Sequence, residues 1–134
     1  MSEITDDELI KKAEAVLNPQ RVDRRLFGDV GAALVTDKGN VYTGVCIDTP
    51  SWGLCAERSA IAAMVTAKES RIAKIVGVWK NANGDIQILP PCGLCREFMR
   101  QINNDNLEAD VILKGKVVKL RDLLPYHDWF NYLT

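Results

Sequence analysis

Apolar residues Leu9, Ala13, Val16 and Leu17 recur at the spacing of one helix face, and Asn18-Pro19 ends the pattern. Thr5 followed by Glu8 has the form of a capping box, so the first helix is expected from about 5 to 17. Gly31-Ala-Ala-Leu-Val-Thr and Val41-Tyr-Thr-Gly-Val-Cys-Ile then flank Asp37-Lys38-Gly39-Asn40, which predicts a β-hairpin. Asp48-Thr-Pro-Ser-Trp-Gly carries loop chemistry and delivers the chain to Cys55. From Ala56 to Lys68 strong helix formers place Ala60, Met64 and Ala67 on one face, with Ile61 and Val65 beside it. Ile72 to Trp79 is rich in β-branched residues, Asn81-Ala-Asn-Gly-Asp is a turn, and Ile86-Gln-Ile-Leu runs into Pro90-Pro91. A third helix is expected over Gly93 to Ile102, then a strand at Val111-Ile-Leu and a short one at Val117-Val-Lys-Leu. Helices alternating with strands in this order predict one α/β domain spanning 1–134, in three layers, with helices covering a mixed sheet.

Composition narrows the function. The 134 residues are 47% hydrophobic and 26% charged, close to the soluble globular average, which disfavours disordered, fibrous and membrane classes. Lys plus Arg number 17 and Asp plus Glu 18, scattered without a basic stripe, so no nucleic-acid partner is expected. No apolar run reaches the roughly 18 residues of a membrane helix. The start, M-S-E-I-T-D-D-E-L, is acidic where an export signal would be basic and then apolar, so a cytoplasmic location is expected. Four cysteines in that setting point to metal or catalysis before disulfides.

The cysteines fall in two motifs, L-C-A-E-R over 54–58 and P-C-G-L-C-R over 91–96. Each stands where a loop hands over to a helix N-terminus, whose unpaired N–H groups and dipole stabilise thiolates. Cys92 and Cys95 can converge on one ion and Cys55 can supply a third thiolate, leaving zinc an open position for a water that it acidifies. Glu57, in the first turn after Cys55, can lean toward that water as general base and acid. Arg58 and Arg96, each beside a motif, are placed to donate to the sulfurs and offset their charge.

The arrangement C-A-E-R…P-C-x-x-C resembles the zinc-dependent cytidine deaminases. Phe27-Gly-Asp-Val-Gly-Ala-Ala-Leu, Thr43-Gly-Val, Leu54-Cys-Ala-Glu-Arg-Ser-Ala-Ile-Ala, Pro91-Cys-Gly-Leu-Cys-Arg-Glu and Asp122-Leu-Leu-Pro follow in family order over most of the chain. The resemblance implies an α-β-α deaminase-like domain with one Zn²⁺ per chain, held by Cys55, Cys92 and Cys95, and Glu57 as proton shuttle. It implies that the Ala56 backbone binds the pyrimidine carbonyl and that the Pro90 carbonyl faces the leaving ammonia. It further implies a nucleoside substrate, a role in pyrimidine salvage and a homotetramer. Cys46 and Asp48 stand where the family usually carries an Asn and a Glu on the ribose hydroxyls. The loop before Cys55 is two residues shorter than usual and is similar to that of blasticidin-S deaminase, as is Tyr126 near the chain end. Phe27, one position from the family's usual aromatic, is either a stacking platform for the base or core.

Other readings stay open on the residues alone. Cys46 could complete a closed Cys₄ zinc site in a non-catalytic binding module, or pack as a small apolar residue. Cys92 and Cys95 alone would serve a redox C-x-x-C, and two disulfides have three connectivities. A blasticidin-type or other amino-heterocycle deaminase fits the substituted loop. Asp48 also suits an Asx turn, Arg58 and Arg96 solvated helix faces, and the lone His127 a surface position. Trp129 and Phe130 suit packing or a subunit interface.

Overall fold

The computed structural model describes residues 3–128. Helix α1 (Asp6–Ala15) starts on the expected capping box: Thr5 Oγ1 accepts from the Glu8 N–H, and Glu8 Oε1 accepts from the Thr5 N–H. It ends short of the expected residue 17, because Val16 caps it and the Leu17 N–H turns back to the Glu14 carbonyl. An unforeseen pair follows, β1 (Gln20–Val22) and β2 (Arg25–Phe27), antiparallel across Asp23 and Arg24, both at positive φ. Asp-Arg is not the Asn-Gly or Asp-Gly that announces such a turn, and neither strand alternates apolar with polar.

The hairpin forms as expected from β3 (Val30–Thr36) and β4 (Val41–Val45). Then come α2 (Ala56–Thr66), β5 (Ile72–Lys80), β6 (Ile86–Leu89), α3 (Gly93–Ile102), β7 (Asp110–Leu113) and β8 (Lys116–Lys119). Two 3₁₀ turns, Asn104–Glu108 and Leu120–Leu123, were not legible as elements. The main sheet runs β4-β3-β5-β7-β8. Strands β6 and β7 share the second edge of β5: β6 pairs antiparallel with Gly77 to Lys80, and β7 pairs parallel with Lys74 and Ile75. The sheet is therefore mixed.

Side-chain alternation along the central strands makes the three layers. Ala32 and Leu34 of β3, Ile75 of β5 and Val111 of β7 face Ala60, Ile61 and Met64 of α2 and Met99 of α3. The intervening Ala33, Val35, Val76, Val78 and Ile112 face Leu9 and Ala13 of α1. Ile61, Met64 and Met99 are fully buried, each worth about 1.5–3 kcal/mol relative to exposure. Close approach of α2 depends on Gly44 of β4, where a Cβ would stand 2.6 Å from the Ala60 nitrogen and Ser59 Cβ. Because α2 follows β4 and α3 follows β6 on the same face, the two helix N-termini meet over the sheet. No helix among the described residues is long and apolar enough to cross a membrane.

Candidate active site

Cys55 and Cys92 are the N-cap residues of α2 and α3, both in extended conformation, and Cys95 lies in the first turn of α3. Their three sulfurs lie within 4.8 Å of one another, with Cys55 Sγ 3.6 Å and Cys95 Sγ 3.4 Å from Cys92 Sγ. These are non-bonded distances, and all four cysteines are free. A tetrahedral ion with Zn–S bonds of about 2.3 Å spaces its sulfurs about 3.8 Å apart, so the three thiols fit a zinc ion with little adjustment. Among the described residues this is the one group of three or more His, Cys, Asp or Glu side chains placed to hold a metal. Cys46 is outside it: its thiol donates to Asp29 Oδ1 at 3.0 Å, so it does not complete a Cys₄ cluster.

Local electrostatics favour a negative Cys92. Burial opposes its thiolate, but the Cys95 backbone N–H, the Cys95 and Cys55 thiols and the Leu94 backbone together outweigh that and lower its pKa. Burial first, and then the charge of Glu57, push Cys95 the other way. Arg58, 7% exposed, donates from Nη2 to Cys55 Sγ at 3.6 Å, the expected charge offset. Its buried Nε has no partner among the described residues.

Glu57 is 6% exposed in the first turn of α2. Burial raises its pKa, against smaller opposing effects of its own backbone and Arg58. Its carboxylate fits against β5 because residue 77 is glycine: a Cβ there would lie 2.7 Å from Glu57 Oε2. A buried acid beside three convergent thiols can pass protons to a molecule held at the metal position.

The sequence model of the family described as "Cytidine and deoxycytidylate deaminase zinc-binding region" matches residues 4–109. The chain belongs to this family. A cytidine deaminase of Mycobacterium tuberculosis is 33% identical over 98 residues, covering 72% of this chain and 69% of that protein. Among solved structures, cytidine deaminase from Mycobacterium leprae superposes with a TM-score of 0.74 at 28% identity, covering 92% of this chain and 99% of that one. The Burkholderia pseudomallei cytidine deaminase gives 0.73 at 29% identity, covering 92% and 98%. In this member of the deaminase family, Cys55, Cys92 and Cys95 thus form a site able to hold the family's zinc.

Other candidate residues fall in different places. Arg96 does not turn to the sulfurs: its Nε donates to the Pro91 carbonyl at 2.8 Å and its Nη1 to the Leu123 carbonyl at 3.2 Å. It clamps the loop carrying Cys92 to the 3₁₀ turn at 120–123, since two carbonyls in reach of a planar guanidinium outcompete weakly accepting sulfur. Ala56 is buried at the start of α2, and Pro90 is exposed ahead of Cys92. Phe27 is half-buried in β2, Asp48 is exposed, and Tyr126 is 93% exposed at φ +54°. His127 contacts the Leu124 carbonyl through Nδ1 at 3.2 Å, a local turn bond. Trp129 and Phe130 lie outside the described residues. Gly77 was missed, although a glycine inside a strand pattern does signal a close approach.

Proposed function

We propose that the chain is a zinc-dependent hydrolytic deaminase of cytosine-type nucleosides, converting cytidine or deoxycytidine to uridine or deoxyuridine and ammonia. The observation that carries this reading is the buried Glu57 carboxyl set beside the three converged thiols. A purely structural zinc site has no use for a buried acid at that position. Cys55, Cys92 and Cys95 would hold one Zn²⁺, which when bound supplies Lewis-acid acidification of a water at its open position.

Glu57 takes a proton from the attacking water, delivers it to ring N3 and then serves the departing amine. Its raised pKa suits an acid that must both accept and return a proton. Water adds at C4 and the C4–N4 bond breaks: the water's oxygen stays on the ring as the new carbonyl, one of its protons remains on N3, and the other leaves with the amine as ammonia. The Ala56 backbone N–H, at the start of α2, orients the pyrimidine carbonyl, and the Pro90 carbonyl accepts from the leaving amine. Phe27 and Tyr126 supply aromatic faces around the ring, and Cys46 and Asp48 lie toward the substituent the base carries.

The reading extends to a cytoplasmic homotetramer acting in pyrimidine salvage, with the whole chain as one catalytic domain. Four free thiols support a reducing compartment, and the exposed apolar side chains of Ile47 and Trp52, ahead of the first cysteine motif, and of Leu94, within the second, support a face covered by another copy. Light scattering on the purified protein tests the assembly. The reaction itself is tested by ammonia release from cytidine and deoxycytidine with zinc-loaded and chelator-stripped protein. Release that depends on zinc is expected; no release from either nucleoside overturns the reading.

A further inference from the structure

The two prolines ahead of the second cysteine motif leave that loop with few anchors. Ladder pairing in β6 ends at Leu89, and neither Pro90 nor Pro91 has an N–H to donate. Among the described residues, one hydrogen bond holds this proline pair, from Arg96 Nε to the Pro91 carbonyl at 2.8 Å. Cys92 follows directly and is exposed, whereas Cys55 is half-buried and Cys95 buried. It caps α3 from the extended region (φ −68°, ψ 166°), and its carbonyl accepts from the Arg96 N–H at 3.0 Å. The thiol most open to water therefore sits on the stretch of backbone that Arg96 grips at two successive carbonyls.

The far side of Arg96 rests on a rigid base. Its Nη1 donates to the Leu123 carbonyl at 3.2 Å, at the end of the 3₁₀ turn Leu120–Leu123. Leu120 is fully buried, and Leu123 packs against the core cluster that holds Met64 and Met99. The Leu120 N–H donates to the Ala109 carbonyl at 2.9 Å, and Asp122 Oδ2 accepts from the Lys119 N–H at 3.0 Å at the start of the turn. Asp122-Leu-Leu-Pro thus contributes no side chain to the metal set, yet its backbone is where Arg96 lands. A guanidinium spanning two carbonyls fixes their separation, because its plane sets the angle between its donors.

We infer that Arg96 is a positioning residue for the metal site and that it transmits the state of the turn at 120–123 to the grip of Cys92 on zinc. Without the link, Cys92 keeps its thiol but samples more positions, and each excursion opens the three-thiol set to solvent. The inference rests on Cys55, Cys92 and Cys95 holding zinc, and is independent of which amine the enzyme removes.

The test measures the zinc Kd of folded protein by competition with a chromophoric chelator, without denaturant. It compares wild type, Arg96→Ala, Asp122→Ala, the double variant and Arg100→Met, with Tm recorded for each. Arg96→Ala is expected to raise Kd about tenfold, the low end for loss of a partner outside the ligand set. Asp122→Ala, which loosens the turn and touches no sulfur, should raise it about threefold, and should add nothing when residue 96 is already alanine. Arg100→Met removes a buried guanidinium one turn further along α3, together with its Glu97 pair, and should lower Tm while leaving Kd unchanged. A wild-type Kd in Arg96→Ala, an equal rise in Arg100→Met, or full additivity of Asp122→Ala and Arg96→Ala overturns the coupling. Should Arg96→Ala not fold, Asp122→Ala still decides, since a wild-type Kd there overturns it as well. Wild type that takes up no zinc overturns the metal reading, and this inference with it.

Discussion

The carboxylate of Glu57 occupies the space that a side chain at Gly77 would need. A Cβ at 77 would stand 2.7 Å from Glu57 Oε2 and 3.6 Å from the Leu89 carbonyl oxygen. Gly77 is paired to Ala32 on one side and Leu89 on the other, so the strand cannot retreat without breaking a ladder. Gly77→Ala should therefore displace the acid and leave the fold. Turnover is expected to fall about 100-fold, with zinc content and Tm nearly unchanged. Glu57→Asp should cost less in the alanine background than in the wild type; strictly additive losses would show that the two residues do not share that space.

Replacing the acid itself gives a cleaner division of roles. Glu57→Gln keeps the volume and the neighbouring thiols but cannot shuttle a proton. Bound zinc, measured by atomic absorption, should stay at one per chain, while kcat drops by about 10²–10⁴. Near wild-type turnover would remove Glu57 from the reaction.

Arg58 is expected to act on the metal, through the thiols. Its guanidinium donates to Cys55 Sγ from an almost wholly buried position. Arg58→Met removes the charge and keeps the bulk, and should weaken zinc affinity about 10- to 100-fold in competition with a chromophoric chelator. Lysine at this position should recover only part of it, because a point charge does not reproduce the fork.

Arg96 connects parts of the chain 27 residues apart, from Nη1 to the Leu123 carbonyl, while its Nε holds Pro91. Arg96→Ala should cost about 2–3 kcal/mol of stability in urea unfolding, as two carbonyls lose a charged donor. Zinc loss should then accompany unfolding at a lower midpoint. An unchanged midpoint would mean that water replaces the guanidinium without cost.

Glu69 provides a pH-dependent contribution at the opposite end of α2. The Thr36 hydroxyl first, then the Tyr42 hydroxyl and the Asn40 amide, hold its carboxyl below the ordinary glutamate value; Tyr42 Oη lies 2.6 Å and Asn40 Nδ2 2.8 Å from Oε2. Because the folded pKa is the lower one, this stabilisation is fully present above the unfolded value and is lost as pH falls through the folded value. Thermal melts of wild type and Glu69→Gln should differ most near neutrality and converge as the pH falls below the ordinary glutamate value and through the lower folded one. A gap that stays constant with pH would show that the charge of Glu69 contributes nothing.

The local chemistry of this chain is written in short stretches of it. Thr5 and Glu8 announce the start of α1, Gly93 and Ile102 bound α3 as expected, and the spacing of Cys55, Glu57, Cys92 and Cys95 places a metal set and an acid at two helix starts. Such features depend on backbone period, caps and neighbouring residues, so reading a dozen residues at a time recovers them. Contacts across the chain were decided elsewhere. The sharing of one β5 edge by β6 and β7, the turn of Arg96 toward two carbonyls, the thiol of Cys46 on Asp29 and the vacancy at Gly77 that seats Glu57 all depend on strand register and side-chain direction. Those are set by packing between segments tens of residues apart, where many partners compete and only the assembled core selects one.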